Sequence, residues 1–249
     1  MQIGVIIQQW RQGAVLLGVA LLVAGLAAPA AATPERCLGM RATIVGGGGS
    51  ERLEGTIGDD VIDGRGGADY IVGKRGDDLI CGGAGWDHLE AGPGGGRMKG
   101  EGGADTLVGG RATEHLDGGG GDDTFFPSGG LGGRVNGGAG GDWLAFSDRT
   151  CPGGITVDLT DHRVAYPGCA DGWSRGRWIV RSVARVDGSP GSDHLIGSRR
   201  RNQLLGQGGE DRLFGKAGND LLHGGNGRDS GRGGPGSDRC LSLETRHSC

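Results

Sequence analysis

The chain has 249 residues, 60 of them glycine, and carries 26 basic and 30 acidic side chains for a formal net charge of −4. Glycine near a quarter, against a usual share of about 7%, with only 4% aromatic residues, excludes a domain held by a thick apolar core. Mild acidity argues against nucleic acid as a partner.

Taken in chain order, the first 32 residues read as a processing signal. Arg11 closes a weakly charged start, Ala14 to Ala28 is an unbroken apolar run, and Ala30-Ala31-Ala32 offers a small-residue cleavage site before Thr33. The run is shorter than the ~20 residues needed to span a bilayer, and no basic stop-transfer cluster follows it. No membrane span is therefore expected after cleavage, and the mature chain is expected to be secreted.

From Gly46 to Phe126 the sequence repeats in nines without losing phase. The sixth position holds Glu51, Asp60, Asp69, Asp78, Asp87, Gly96, Asp105, Glu114 and Asp123. The eighth holds Leu53, Ile62, Ile71, Ile80, Leu89, Met98, Leu107, Leu116 and Phe125. A single unit, residues 137–145, keeps Asp142 and Leu144 in the same roles. Six further units from Gly188 to Leu241 place Asp193, Asn202, Asp211, Asp220, Asp229 and Asp238 at position six. Their apolar position holds Leu195, Leu204, Leu213 and Leu222, then fails at Gly231 and Cys240. A fixed short period of this kind marks a solenoid, in which each unit buries its apolar side chain only against its neighbours. A disordered glycine-rich chain would share the composition but not the phased acidic and aliphatic columns.

These units, of which Gly82-Gly83-Ala84-Gly85-Trp86-Asp87-His88-Leu89-Glu90 is the cleanest, resemble the repeats-in-toxin (RTX) family of secreted proteins, with unit G-G-x-G-x-D-x-U-x. The resemblance implies an all-β fold, a parallel β-roll (β-solenoid) with an irregular β insert. Six residues would form a calcium-holding turn and three a short strand, and turns two units apart would stack on one side. It further implies calcium as the cofactor. The ligands would be Asp60, Asp69, Asp78, Asp87, Asp105, Asp123, Asp142, Asp193, Asp211, Asp220, Asp229 and Asp238, with the glycine turns typified by Gly82, Gly83 and Gly85. One side would carry Glu51, Asp69, Asp87, Asp105 and Asp123. The other would carry Asp60, Asp78 and Glu114, broken at Gly96, so the first side is expected to hold ions better. The chemistry is consistent: calcium takes six to eight oxygens from carboxylates and carbonyls, and glycine lets carbonyls approach without a Cβ in the way. Without the ion, the carboxylates form a column of like charge on strands about 4.8 Å apart, so folding is expected to depend on calcium.

Residues 33–145 thus form a first block, 146–187 an insert and 188–249 a second block with a tail. In the insert, Gly154 to Leu159 and Trp178 to Val183 alternate with period two and read as strands, most simply continuing the stack as longer, irregular coils. Trp143, Trp173 and Trp178 either seed a small core there or line a sugar-binding face. His88, His115 and His194, at position seven, and His223, at position nine, are expected to face solvent. Six cysteines in an exported chain suggest disulfides. Sequence neighbours favour Cys37–Cys81, Cys151–Cys169 and Cys240–Cys249 among the fifteen possible connectivities. No C-x-x-C and no paired histidines support zinc.

No catalytic constellation emerges. H-E-x-x-H is absent. Gly172-Trp173-Ser174-Arg175-Gly176 has nucleophile-elbow spacing but lacks the strand and helix that motif needs. Gly231, Gly233 and Gly236 match G-x-G-x-x-G inside nonamers and open no helix. The reading is a secreted, non-catalytic calcium-binding protein that folds on the ion. An extracellular adhesin or polysaccharide-binding module is the alternative, with cell-surface or matrix polysaccharide or protein as partner, and a polymer-processing enzyme is the weakest reading.

Overall fold

The structure, a computed structural model, describes residues 36–112, 114–127, 132–146, 151, 153–166 and 177–249. The expected signal segment, Cys169, Trp173 and the Gly172–Gly176 motif lie outside the described residues. Pro34 to Cys249 forms one compact unit. Its described residues contain strands and turns and no helix, as the nonamer pattern requires.

Each nonamer contributes strand at positions seven to nine, lengthened to six to eight residues in coils such as Asp77–Ala84 and Gln203–Gly208, and successive strands fall alternately into two sheets. In the ten-stranded sheet the position-eight residues form an unbroken ladder, Leu53, Ile71, Leu89, Leu107, Phe125, Leu144, Val186, Leu204, Leu222 and Cys240. The thirteen-stranded sheet opposite runs Ile44, Ile62, Ile80, Met98, Leu116, Val135 and Val180 in parallel register, then resumes from Val157 through Leu195 to Leu213. Side chains alternate along each strand, so position eight points between the sheets while seven and nine do not. From Ile62 to Leu222 these inward residues are buried in one core. The two blocks therefore share a single stack, an all-β parallel roll.

The insert enlarges the two sheets unequally. In the ten-stranded sheet, Trp143–Ala145 pairs directly with Arg185–Asp187. In the other sheet three strands intervene. Arg177–Arg181 runs parallel to Gly132–Ala139 and Thr156–Asp158 runs parallel to His194–Ile196. Arg163–Ala165 joins them antiparallel to both. The expectation of longer coils is thus corrected in one respect: the chain doubles back. This third strand, Arg163-Val164-Ala165, is exposed, buried and exposed in turn, and is not among the strands expected from the sequence. Trp178 is fully buried in the core, which answers the choice posed for it in favour of packing over sugar binding.

The ends are closed by devices the repeat lacks. Cys37 pairs with Cys81 and Cys240 with Cys249, two of the three neighbour pairings expected; Cys151 is also disulfide-bonded. Where position eight fails at Gly231, Leu243 from the tail fills the space: a Cβ on Gly231 would run into its side chain, and Leu243 is 5% exposed.

Because each coil is held by one inward side chain per strand, truncating Leu107 should cost about 2–5 kcal/mol. Truncating Ile57, which is 84% exposed, should change stability by less than about 0.5 kcal/mol. Denaturant unfolding of Leu107→Ala and Ile57→Ala in calcium compares them, and equal losses would refute the shared-core account.

Candidate metal centre

The position-six carboxylates are buried. Asp69, Asp78, Asp87, Asp105, Asp123, Asp142, Asp211, Asp220 and Asp229 are each at most 2% exposed. One oxygen has the same task in almost every loop: Oδ1 accepts the backbone N–H of the position-six residue one coil earlier. The chain of bonds runs Glu51 to Asp69, Asp69 to Asp87, Asp87 to Asp105 and Asp105 to Asp123, at 2.8–2.9 Å, and on to Asp142 at 3.1 Å. It resumes with Asn202 to Asp220 and Asp220 to Asp238. The opposite column joins Asp60 to Asp78, then Ile155 to Asp193, Asp193 to Asp211 and Asp211 to Asp229. Glu244 of the tail closes it by accepting from Asp229 N–H at 2.5 Å. The two columns are those expected from the spacing.

The other oxygen is the informative one. Oδ2 of Asp69, Asp78, Asp87, Asp105, Asp123, Asp142, Asp211, Asp220, Asp229 and Asp238 is buried with no hydrogen-bond partner. Each points into a space kept open by the first glycine of its own nonamer. A Cβ on Gly82 would collide with Asp87 Oδ2. On Gly118 it would collide with both Asp123 Oδ2 and the carbonyl oxygen of Gly137 on the next coil. Gly206 repeats that pairing with Asp211 Oδ2 and the Gly224 carbonyl. At Gly83 and Gly85 the constraint is backbone: φ is +110° and +142°, and a side chain would strike the carbonyls of Arg65 and Gly67. An unpartnered carboxylate oxygen and a carbonyl oxygen converging on a side-chain-sized gap are donors suited to a hard cation. No three His, Cys, Asp or Glu side chains converge on one point among the described residues. The remaining ligands must then be backbone carbonyls, which calcium accepts and zinc does not.

Four loops depart from this pattern: in one the backbone N–H of Gly110 donates to Glu114 Oε1, and in the other three position two carries a hydroxyl. Where position two carries a hydroxyl, the loop satisfies its own side chain. Thr56 donates from N–H and hydroxyl to Asp60 Oδ2 at 2.6 and 2.9 Å. Ser189 donates from N–H to Asp193 Oδ2 at 2.6 Å and from its hydroxyl to Oδ1 at 2.8 Å. Ser198 does the same for Asn202 Oδ1. In the orphan-oxygen loops position two instead takes positive φ, even at Arg65, Lys74, Glu101, Gln207 and Lys216, so its N–H does not make this bond. The nonamer that lacks an acid, 91–99, has Ala91 where its neighbours have the first glycine, and that Ala91 is buried. Gly96 thus coincides with a cradle already filled by a Cβ.

Burial raises the carboxyl pKa values, with no cation beside them. Desolvation pushes Asp78, Asp123 and Asp193 to about 6, and Asp105 and Asp211 to about 7. Asp69, Asp87, Asp142 and Asp220 move in the same direction for the same reason. The N–H bond to Oδ1 opposes each shift without cancelling it. The histidines lie beside this chemistry rather than in it. His88 stacks flat on Tyr70 at 4.9 Å, His194 packs on Phe214, and His115 is exposed as expected.

Stacked coils with this oxygen geometry define a class, the calcium-binding β-roll. The profile of the RTX calcium-binding nonapeptide repeat matches residues 45–80, 66–98, 90–125, 99–133, 187–222 and 205–240, more than half of the chain. The chain belongs to that family, whose nonapeptide repeats bind calcium. No curated protein matches it.

Folded pKa values of about 6–7 lie above the ~3.9 of an unfolded aspartate, so the metal-free fold binds more protons than the coil. That stabilisation is fully present below about pH 4 and is lost as pH rises through 6–7. In metal-free buffer the β content read by circular dichroism should therefore be higher at pH 4.5 than at pH 7.5. A flat or falling trend on acidification would contradict the buried, unpartnered carboxylates.

Proposed function

We propose that the protein is an extracellular, non-catalytic module whose roll folds when calcium fills the turns that hold an orphan carboxylate oxygen. The observation that carries this reading is the set of buried Oδ2 atoms facing glycine cradles. A column of desolvated carboxylates is unfavourable by itself, and a shared divalent ion neutralises two successive coils at once. The ligands proposed are Asp69, Asp78, Asp87, Asp105, Asp123, Asp142, Asp211, Asp220, Asp229 and Asp238, with carbonyls of the glycine turns. Asp60 and Asp193 are set aside, because Thr56 and Ser189 already occupy their second oxygens. Disulfides support an oxidising compartment. Extracellular modules bind calcium at about 10⁻⁴–10⁻³ M, a range met outside the cell. A non-catalytic role is supported by the use of the buried acids as stacking and ion ligands.

Far-ultraviolet circular dichroism of the oxidised chain, titrated with calcium from a chelated start, should show a cooperative gain of β structure that magnesium does not reproduce. A complete β spectrum in chelator would sink ion-driven folding. Asp105→Ala should raise the calcium midpoint on the order of tenfold, as loss of a charged ligand does. Asp60→Ala should leave the number of bound ions unchanged. Thr56→Gly should add one ion in equilibrium dialysis, and an unchanged count would refute the assignment by position two.

A further inference from the structure

The turn columns are interrupted at one place in the ten-stranded sheet's approach, and the surface there has the opposite charge. The strand Arg177–Arg181 passes to Arg185–Asp187 through residues 182–184 alone, where the flanking units use six-residue turns, 137–142 and 197–202. Ser182 makes the short turn with φ of +54°. The missing length opens a cleft of about 550 Å³ between those flanking turns. Its walls carry Arg181, Arg199, Arg200, Arg201 and His162, all exposed, and no carboxylate is among its lining residues. The four guanidiniums have no acidic partner among the described residues. Position six of the adjoining turn is Asn202, neutral and fastened by Ser198, so that turn adds no negative charge.

An exposed basic run on a convex surface would be a solvated face and nothing more. Here the run forms the wall of a concavity, Arg181 faces it from another strand, and the chain as a whole is acidic. Like charges gathered in a cleft repel one another and focus the field on whatever enters it. Guanidinium groups bind phosphate, sulfate and carboxylate through paired, charge-assisted hydrogen bonds. The volume falls within the ~300–1,000 Å³ of small-ligand sites. Leu159, Val180 and Val183 supply apolar floor beside the charges.

We infer that this cleft is an anion site that takes a small ligand bearing oxyanion groups, such as one unit of an acidic saccharide. It is separate from the calcium turns and makes no use of their carboxylates. The test is isothermal titration calorimetry of the calcium-loaded full chain with three probes: a sulfated disaccharide, tri-galacturonate and glucose 1-phosphate. At least one should bind, and which one identifies the oxyanion. Arg199→Ser/Arg200→Ser/Arg201→Ser should weaken it by about tenfold or more, with the calcium midpoint of folding unchanged. Arg181→Ser, on the other wall, should weaken it as well. Arg97→Ser/Arg134→Ser, which removes exposed cations outside the cleft, should not. Failure of all three probes, or equal weakening by the control pair, would overturn the proposal. So would a shift in the calcium midpoint with no effect on anion binding, since the arginines would then serve the fold. Failure of calcium-driven folding would instead be read in the dichroism titration.

Discussion

The divided carboxylate at position six is the interaction on which the rest of the structure depends. Its first oxygen receives a backbone N–H from the neighbouring coil, so most turns are tied axially to the next. Its second oxygen is turned inward, buried and without a donor. A neutral side chain could make the first bond, but it would not create the second demand. At the aspartate turns the paired roles go with a glycine whose missing Cβ leaves room for the second oxygen. A Cβ in the cradle would close the space in which the two oxygens meet. At residues 91–99, Ala91 fills the cradle and Gly96 removes the acid, so cradle and carboxylate are lost together.

Two chemical solutions to that second oxygen coexist in one roll. At Thr56 and Ser189 the position-two backbone N–H donates to it directly, the hydroxyl adds a bond to the same carboxylate, and the turn keeps ordinary backbone conformation. At the orphan aspartates position two takes positive φ instead, and the oxygen has no donor. Thr56 lies in the second turn of the first block, while Ser189 and Ser198 lie in the two turns at which the nonamers restart after the insert. These are places where a coil is backed by something other than a regular nonamer: the Cys37–Cys81 bridge region at one end, the antiparallel excursion at the other. Self-satisfied turns there give the roll fixed points that do not wait for an ion.

The insert is best understood as a change in coil geometry rather than as a separate body. It adds three strands to one sheet and a single strand, Arg185–Asp187, to the other, and its Val157, Val164, Trp178 and Val180 extend the same core. The cost of that asymmetry is a shortened turn on one edge. The acidic column is broken there, and arginines occupy the rim.

The period of nine, read alone, determined the alternation of turn and strand, the inward position eight, the two acidic columns and the weakness at Gly96. These follow because each is a local rule repeated: position in the unit fixes direction in the coil. Likewise the neighbour pairings Cys37–Cys81 and Cys240–Cys249 were legible, since a solenoid brings together residues that are close in sequence. Tertiary structure alone decided what the period does not encode. The reversal at Arg163–Ala165, the filling of Gly231 by Leu243 and the burial of Trp178 depend on how irregular segments meet the stack. So does the division between self-satisfied and orphan carboxylates. Its signal, a hydroxyl at position two, stands in the sequence at Thr56, Ser189 and Ser198. It acquires meaning only when the backbone shows where that residue's N–H points, because a hydrogen bond is set by direction and distance and not by residue type.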